Sequence, residues 1–173
     1  NMLLNADYLG SDSIILDLED AVAQAEKDSA RILVRNAILS LGFTKEVIVR
    51  INPLDSPYWE KDLEQIIPAK PDMIMPTNVS GADYVQTISK KIAQIEENCG
   101  MEIGTVKLIP LIDTALGVEK AFEIATADPR VKAIFLGGED LTADMQCKRT
   151  TEGKEIFYAR SRMVMAARAA GID

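Results

Sequence analysis

Short, nearly all-apolar runs rich in β-branched residues take turns along this chain with longer stretches of helical spacing, and no other feature restricts the fold as much. Residues 13–18 read as a buried strand. Residues 21–41 then place Val22, Ala25, Ala30, Leu33, Val34, Ala37, Ile38 and Leu41 at helical intervals, with Gly42 just past the end. The alternation continues through a strand at 47–51, an amphipathic stretch around 60–67, a strand at 73–75 and a helix at 81–97. A strand at 106–112, a helix at 117–127, a strand at 132–136 and a last helix at 155–170 complete it. Such a pattern predicts parallel strands joined by helical crossovers, both sheet faces covered, which is why the strands are apolar throughout.

A doubly wound open sheet and a (β/α)8 TIM barrel both satisfy this order. Residues 1–10 read as a helix with no strand before it, and the final AAGID stops where a further strand is expected to begin. The expectation is a single catalytic domain over residues 1–173, about five strands of an α/β barrel lacking the first strand and the C-terminal part, since an eight-stranded barrel needs about 250 residues. No Gly/Ser linker, low-complexity tract or internal repeat interrupts it.

Charge and composition narrow the function. Asp and Glu total 27 against 19 Lys and Arg, a net charge of −8 with no basic run, so a nucleic-acid backbone is repelled. Neither a signal peptide nor an apolar run of bilayer length is present, and Cys99 and Cys147 form no CxxC pattern; the reading is a soluble cytoplasmic protein with reduced thiols. With no histidine, acid–base and metal work falls to carboxylates, Lys, Tyr, Cys or water.

Functional groups gather where the apolar runs end: Asp17, Glu19 and Asp20; Arg50 and Asn52; Thr77 and Asn78; Asp113 and Thr114; Glu139 and Asp140. In a parallel barrel these strand ends share the face that carries active sites. Alternation puts Asp17 and Glu19 on one side of their strand, and an Arg50 flanked by Val and Ile must be paired if buried, with the acids of DLED as the obvious counterions. A purely structural ion pair fits those residues equally well. Asp113 and Asp140 form a second pair whose oxygen-only chemistry favours Mg2+, although Asp113 before TALG also suits a helix N-cap. Gly137 and Gly138 allow close approach, so the amides of Glu139 and Asp140 suit a small carboxylate. The GGED string is not read as a nucleotide-cyclase signature, because Leu-Thr follows it, and no P-loop supports a phosphate binder.

In order along the chain, DLEDAV, VRINP, LIDTALG, GGEDL and the EIFYARS of residues 155–161 resemble the citrate lyase beta subunit family, with its malyl-CoA and citramalyl-CoA lyase relatives in the 2-keto-acid aldolase superfamily. The resemblance implies a TIM barrel, Mg2+, and reversible carbon–carbon cleavage of a thioester on coenzyme A or an acyl carrier protein, giving an acetyl thioester and a 2-keto acid. It also implies a homo-oligomer, trimer or hexamer, and the citrate lyase alpha and gamma subunits as partners. Carried over by position, Arg50 stabilises the thioester enolate, Asp113 and Asp140 hold the metal, and Glu19 and Asp20 orient the metal's waters and the arginine. Asp17, Asn52, Gly138 and Glu139 fall on the substrate side, and Asp20 stands where related aldolases carry a catalytic histidine. Two positions depart from the pattern: Asp113 replaces a Glu, and Thr77 replaces a lysine. In the coenzyme A lyases the proton-handling acid comes from the C-terminal part, often of a neighbouring subunit, so the resemblance implies an acid outside residues 1–173. A catalytically weak barrel serving assembly or carrier binding is the rival expectation.

Overall fold

The computed structural model describes residues 2–8 and 10–173. In chain order its elements are α1 (Met2–Asn5), β1 (Ser13–Asp17), α2 (Lys27–Leu41), β2 (Glu46–Ile51), α3 (Trp59–Ile66), β3 (Met73–Pro76) and α4 (Ala82–Asn98). Then follow β4 (Lys107–Leu108), β5 (Leu111–Ile112), α5 (Ala115–Glu119), α6 (Ala121–Ala125), β6 (Phe135–Leu136), α7 (Gly138–Asp144) and α8 (Phe157–Ala170). The strands β1-β2-β3-β4 form one sheet in that order, and β5-β6 a second. The fold is α/β with parallel pairing, as the sequence pattern requires. Six strands, not eight, form among the described residues, so the closed barrel is not part of what they show. Of the helix expected over residues 1–10, Asn1 and Leu9 lie outside the described residues; the rest gives α1 and a 3-10 turn, Ala6–Tyr8.

The chain resolves into two compact units, Asn1–Met75 with Lys90–Lys107, and Pro76–Ser89 with Leu108–Asp173. In the first, β1 runs parallel to β2 in a register that sets Ser13 opposite Glu46 and Asp17 opposite Arg50. Leu18, Val49, Ile51, Leu63, Ile66, Ile67, Ile74 and Ile92 fill its core, each large aliphatic contributing about 1.5–3 kcal/mol by leaving water. Helix α2 begins at Lys27 rather than at Ala21 because Asp17 intervenes: its carboxylate accepts the N–H groups of Glu19 at 2.9 Å and Ala21 at 3.0 Å, a local turn that competes with helix initiation. The helix ends as expected, with Gly42 left-handed at φ 61°.

In the second unit, β5 lies parallel to β6 with Leu111 opposite Phe135 and Ile112 opposite Leu136. The single strand expected over 106–112 is divided, because Pro110 has no N–H to donate; its carbonyl accepts Phe135 N–H at 2.9 Å instead. The expected strand at 132–136 contracts to β6, and the helix expected at 117–127 is interrupted at Lys120, which leaves the helical region at φ −94° and ψ 13°. Helix α8 packs against α5 and α6. The final residue pairs along the segment before β6, Asp173 donating to Lys132 O at 3.1 Å and accepting from Ile134 N–H at 3.0 Å. Among the described residues no helix is long and apolar enough to cross a membrane.

Candidate active site

The register of β1 against β2 brings Asp17 and Arg50 side by side, and their side chains form a two-pronged pair: Arg50 Nε donates to Asp17 Oδ1 at 2.7 Å and Nη2 to Oδ2 at 2.5 Å. Two of the guanidinium's five N–H groups are thereby committed and its plane is fixed. The Nη1 edge faces Glu19 Oε2 at 3.0 Å and Asp20 Oδ2 at 3.6 Å. Arg50 is 22% exposed, so the cluster is half-buried rather than sealed. Charge repulsion and burial separate the acids. Burial pushes the Glu19 carboxyl up to about 7, Arg50 opposing it and Asp20 and Asp17 adding to it. Burial also acts against ionised Asp17, but the Arg50 fork and the two N–H bonds outweigh it and hold that carboxyl below its ordinary range. The same fork raises the Arg50 pKa.

Behind the cluster runs a buried polar network that the sequence reading missed. Asp62, fully buried on α3, accepts Arg31 Nε at 2.6 Å, Asn52 N–H at 3.0 Å and Asn52 Nδ2 at 2.7 Å. Asn52 Nδ2 also reaches Leu18 O at 2.9 Å. The Asn52 side-chain amide therefore ties the end of β2 to the end of β1 and to α3. Lys27 donates to the carbonyls of Leu18 and Glu19, both at 2.8 Å. The signal was there to find: Lys27 and Arg31 stand at i and i+4 on the helix face that also buries Val34 and Ala37.

In the second unit, Asp113 follows β5 and is 1% exposed. The cap role open to it goes to Thr114, whose hydroxyl accepts Gly117 N–H at 3.1 Å. Asp113 Oδ2 accepts Asn78 N–H at 3.1 Å instead. Gly137 is where the next strand end closes on it: a Cβ there would lie 2.7 Å from the Asp113 Cβ. Gly138, Glu139 and Asp140 form the first turn of α7, a short helix with too few apolar residues to show a period. Glu139 is exposed and pairs with Arg149, and Asp140 is exposed. Thr77, at the departure from the family lysine, is buried, and its carbonyl accepts Tyr84 Oη at 2.6 Å.

Among the described residues no group of three or more His, Cys, Asp or Glu is placed to hold a metal. The carboxylate oxygens of Asp113 and Asp140 are the donor type that magnesium takes, an ion that keeps several waters and is typically held through one or two carboxylates. Gly137 leaves Asp113 its space, since any side chain there would push into it.

The family described as HpcH/HpaI aldolase/citrate lyase matches residues 1–173. The citrate lyase subunit beta of Leuconostoc mesenteroides subsp. cremoris is 42% identical over 172 residues, 99% of this chain and 57% of that protein. An L-malyl-CoA/beta-methylmalyl-CoA lyase of Cereibacter sphaeroides is 35% identical over 154 residues, 86% of this chain and 48% of that one. The chain thus spans about half to three fifths of the length of the curated relatives it matches. Among solved structures, the citrate lyase beta subunit from M. tuberculosis complexed with oxaloacetate and magnesium superposes with a TM-score of 0.73 at 30% identity, covering 94% of this chain and 66% of that one.

Proposed function

The chain belongs to the HpcH/HpaI aldolase/citrate lyase family, and from that premise we propose that it works in a Mg2+-dependent lyase cleaving a 3-hydroxy-acyl thioester, citryl first, to an acetyl thioester and oxaloacetate. The fork between Asp17 and Arg50 carries this reading. Cleavage removes the hydroxyl proton, breaks the bond between the α and β carbons, and leaves the electron pair on the thioester as an enolate, later protonated at carbon. The developing oxyanion needs a fixed cation with donors aimed at it. Arg50 meets that need because Asp17 locks its plane while Glu19 and Asp20 line the remaining edge. Magnesium, held by Asp113 and Asp140, would polarise the hydroxy-carboxylate of the substrate as a Lewis acid. Membership of the family and the likeness to the magnesium- and oxaloacetate-bound subunit support both assignments. The eight-stranded barrel, the carrier, whether coenzyme A or an acyl carrier protein, and assembly with further subunits belong to the same proposal.

The malyl-CoA and citramalyl-CoA lyase relatives favour malyl or citramalyl thioester as the alternative substrate. A weakly catalytic subunit is favoured by Asp113, one methylene shorter than the family's Glu and already bonded to Asn78. An assay on citryl, malyl and citramalyl thioesters with Mg2+ and with EDTA decides among them. The expected outcome is metal-dependent cleavage, fastest with citryl. A folded protein that turns over none of the three refutes the lyase, and no metal-dependent heat on calorimetric titration with oxaloacetate or pyruvate favours the non-catalytic reading.

A further inference from the structure

Lys27 opens α2, and the spacing that turns Val34 and Ala37 inward turns Lys27 inward with them. The residue is 7% exposed, and its ammonium lies 5.8 Å from the centroid of the Tyr58 ring. Among the described residues it forms no ion pair. A buried ammonium without a counterion is costly, and here the charge is spent on two carbonyls, Leu18 O and Glu19 O, each at 2.8 Å. Those oxygens belong to the peptide groups on either side of Glu19, so one ammonium grips the backbone at both flanks of that residue. Asn52 adds a second hold on the Leu18 carbonyl at 2.9 Å. The Glu19 carboxylate in turn stands 3.0 Å from Arg50 Nη1.

We infer that Lys27 is a positioning residue: by clamping both peptide groups around Glu19 it sets that carboxylate against Arg50 and so holds the guanidinium edge for the thioester oxygen, a role resting on the lyase reading above. The electrostatics agree. Asp17, Glu19 and Asp20 face a single guanidinium, and the Lys27 ammonium beneath the same turn offsets part of the excess.

The test reads Glu19 itself. In Lys27→Met the apolar stem remains and the donors go. The Glu19 carboxyl-carbon resonance, identified by its absence from Glu19→Gln, is followed against pH in EDTA. Release of the clamp lets the carboxyl swing into water, so its midpoint falls from about 7 toward the ordinary 4.5. Simple loss of a neighbouring positive charge shifts it the other way, and a packing role leaves it in place. A lower midpoint supports positioning; an unchanged or higher one overturns it. Should Lys27→Met fail to fold, Lys27→Arg keeps the charge but cannot seat one donor between two carbonyls, and an unmoved midpoint there overturns the inference equally. In turnover, Lys27→Met is expected to lower kcat about 10- to 100-fold with KM little changed. An inactive wild type refutes the lyase reading, while the titration still decides the positioning.

Discussion

Glu19→Gln should flatten the pH dependence of stability across the neutral range. In the folded chain the Glu19 carboxyl titrates at about 7 against an ordinary 4.5, so between those values the folded state holds a proton that the unfolded state has released. Stability that this group contributes is complete below about pH 4.5 and is lost as pH rises through 7. The displacement corresponds to about 3 kcal/mol. Solvent screening discounts it little, because Glu19 is only 15% exposed. For a chain of this size that amounts to roughly 6–12 °C in Tm. The window is clean: the chain has no histidine, and Asp17, held below its ordinary 3.8, contributes stability that is present above that pH and lost only as pH falls further. Urea unfolding in EDTA from pH 5 to pH 8 should show wild type losing about 2.5 kcal/mol and Glu19→Gln losing little. Equal slopes in the two proteins would refute the assignment of a buried, proton-holding carboxyl to Glu19.

Three further substitutions probe the rest of the framework. Asp62→Ala takes the acceptor from buried Arg31 Nε, from Asn52 N–H and from one Asn52 amide hydrogen, while the Asp28 pair of Arg31 and the Leu18 bond of Asn52 remain; denaturant titration should show a loss of about 2–4 kcal/mol, and a loss under 1 kcal/mol would contradict the network. Lys91→Met is the contrasting case: its pairs with Glu60 and Glu64, both at 2.8 Å, join exposed carboxylates, and the same titration should register less than about 1 kcal/mol. Gly137→Ala forces a methyl to within 2.7 Å of Asp113; thermal melts should report about 1–3 kcal/mol and calorimetry weaker Mg2+ binding, whereas unchanged metal binding would separate Asp113 from the metal.

The part of the site that could be read from the sequence is the part built on strands. An arginine between β-branched residues must find a counterion, and an acidic run at the end of a neighbouring strand supplies it; the structure forms that pair through the Asp17–Arg50 register. The supporting network was not legible because it uses charged residues at positions where helical spacing leads one to count only apolar ones, Lys27 and Arg31 among them. Asp62 escaped for the same reason, as an acid on the buried face of α3. Helix α7 carried no periodic signal in GEDLTAD. Local chemistry also overrode pattern at three boundaries: the Asp17 turn delayed α2, Pro110 divided a strand, and Thr114 took the cap that Asp113 could have filled.

The central claim is that Arg50, its plane locked by Asp17, is the cation beneath the thioester oxygen as the carbon–carbon bond breaks. Steady-state cleavage of citryl thioester by Arg50→Lys against wild type, in saturating Mg2+, tests it most directly. A point ammonium cannot reproduce a planar fork, so kcat should fall about 10²- to 10³-fold with KM little altered; near-normal turnover in that variant would contradict the account.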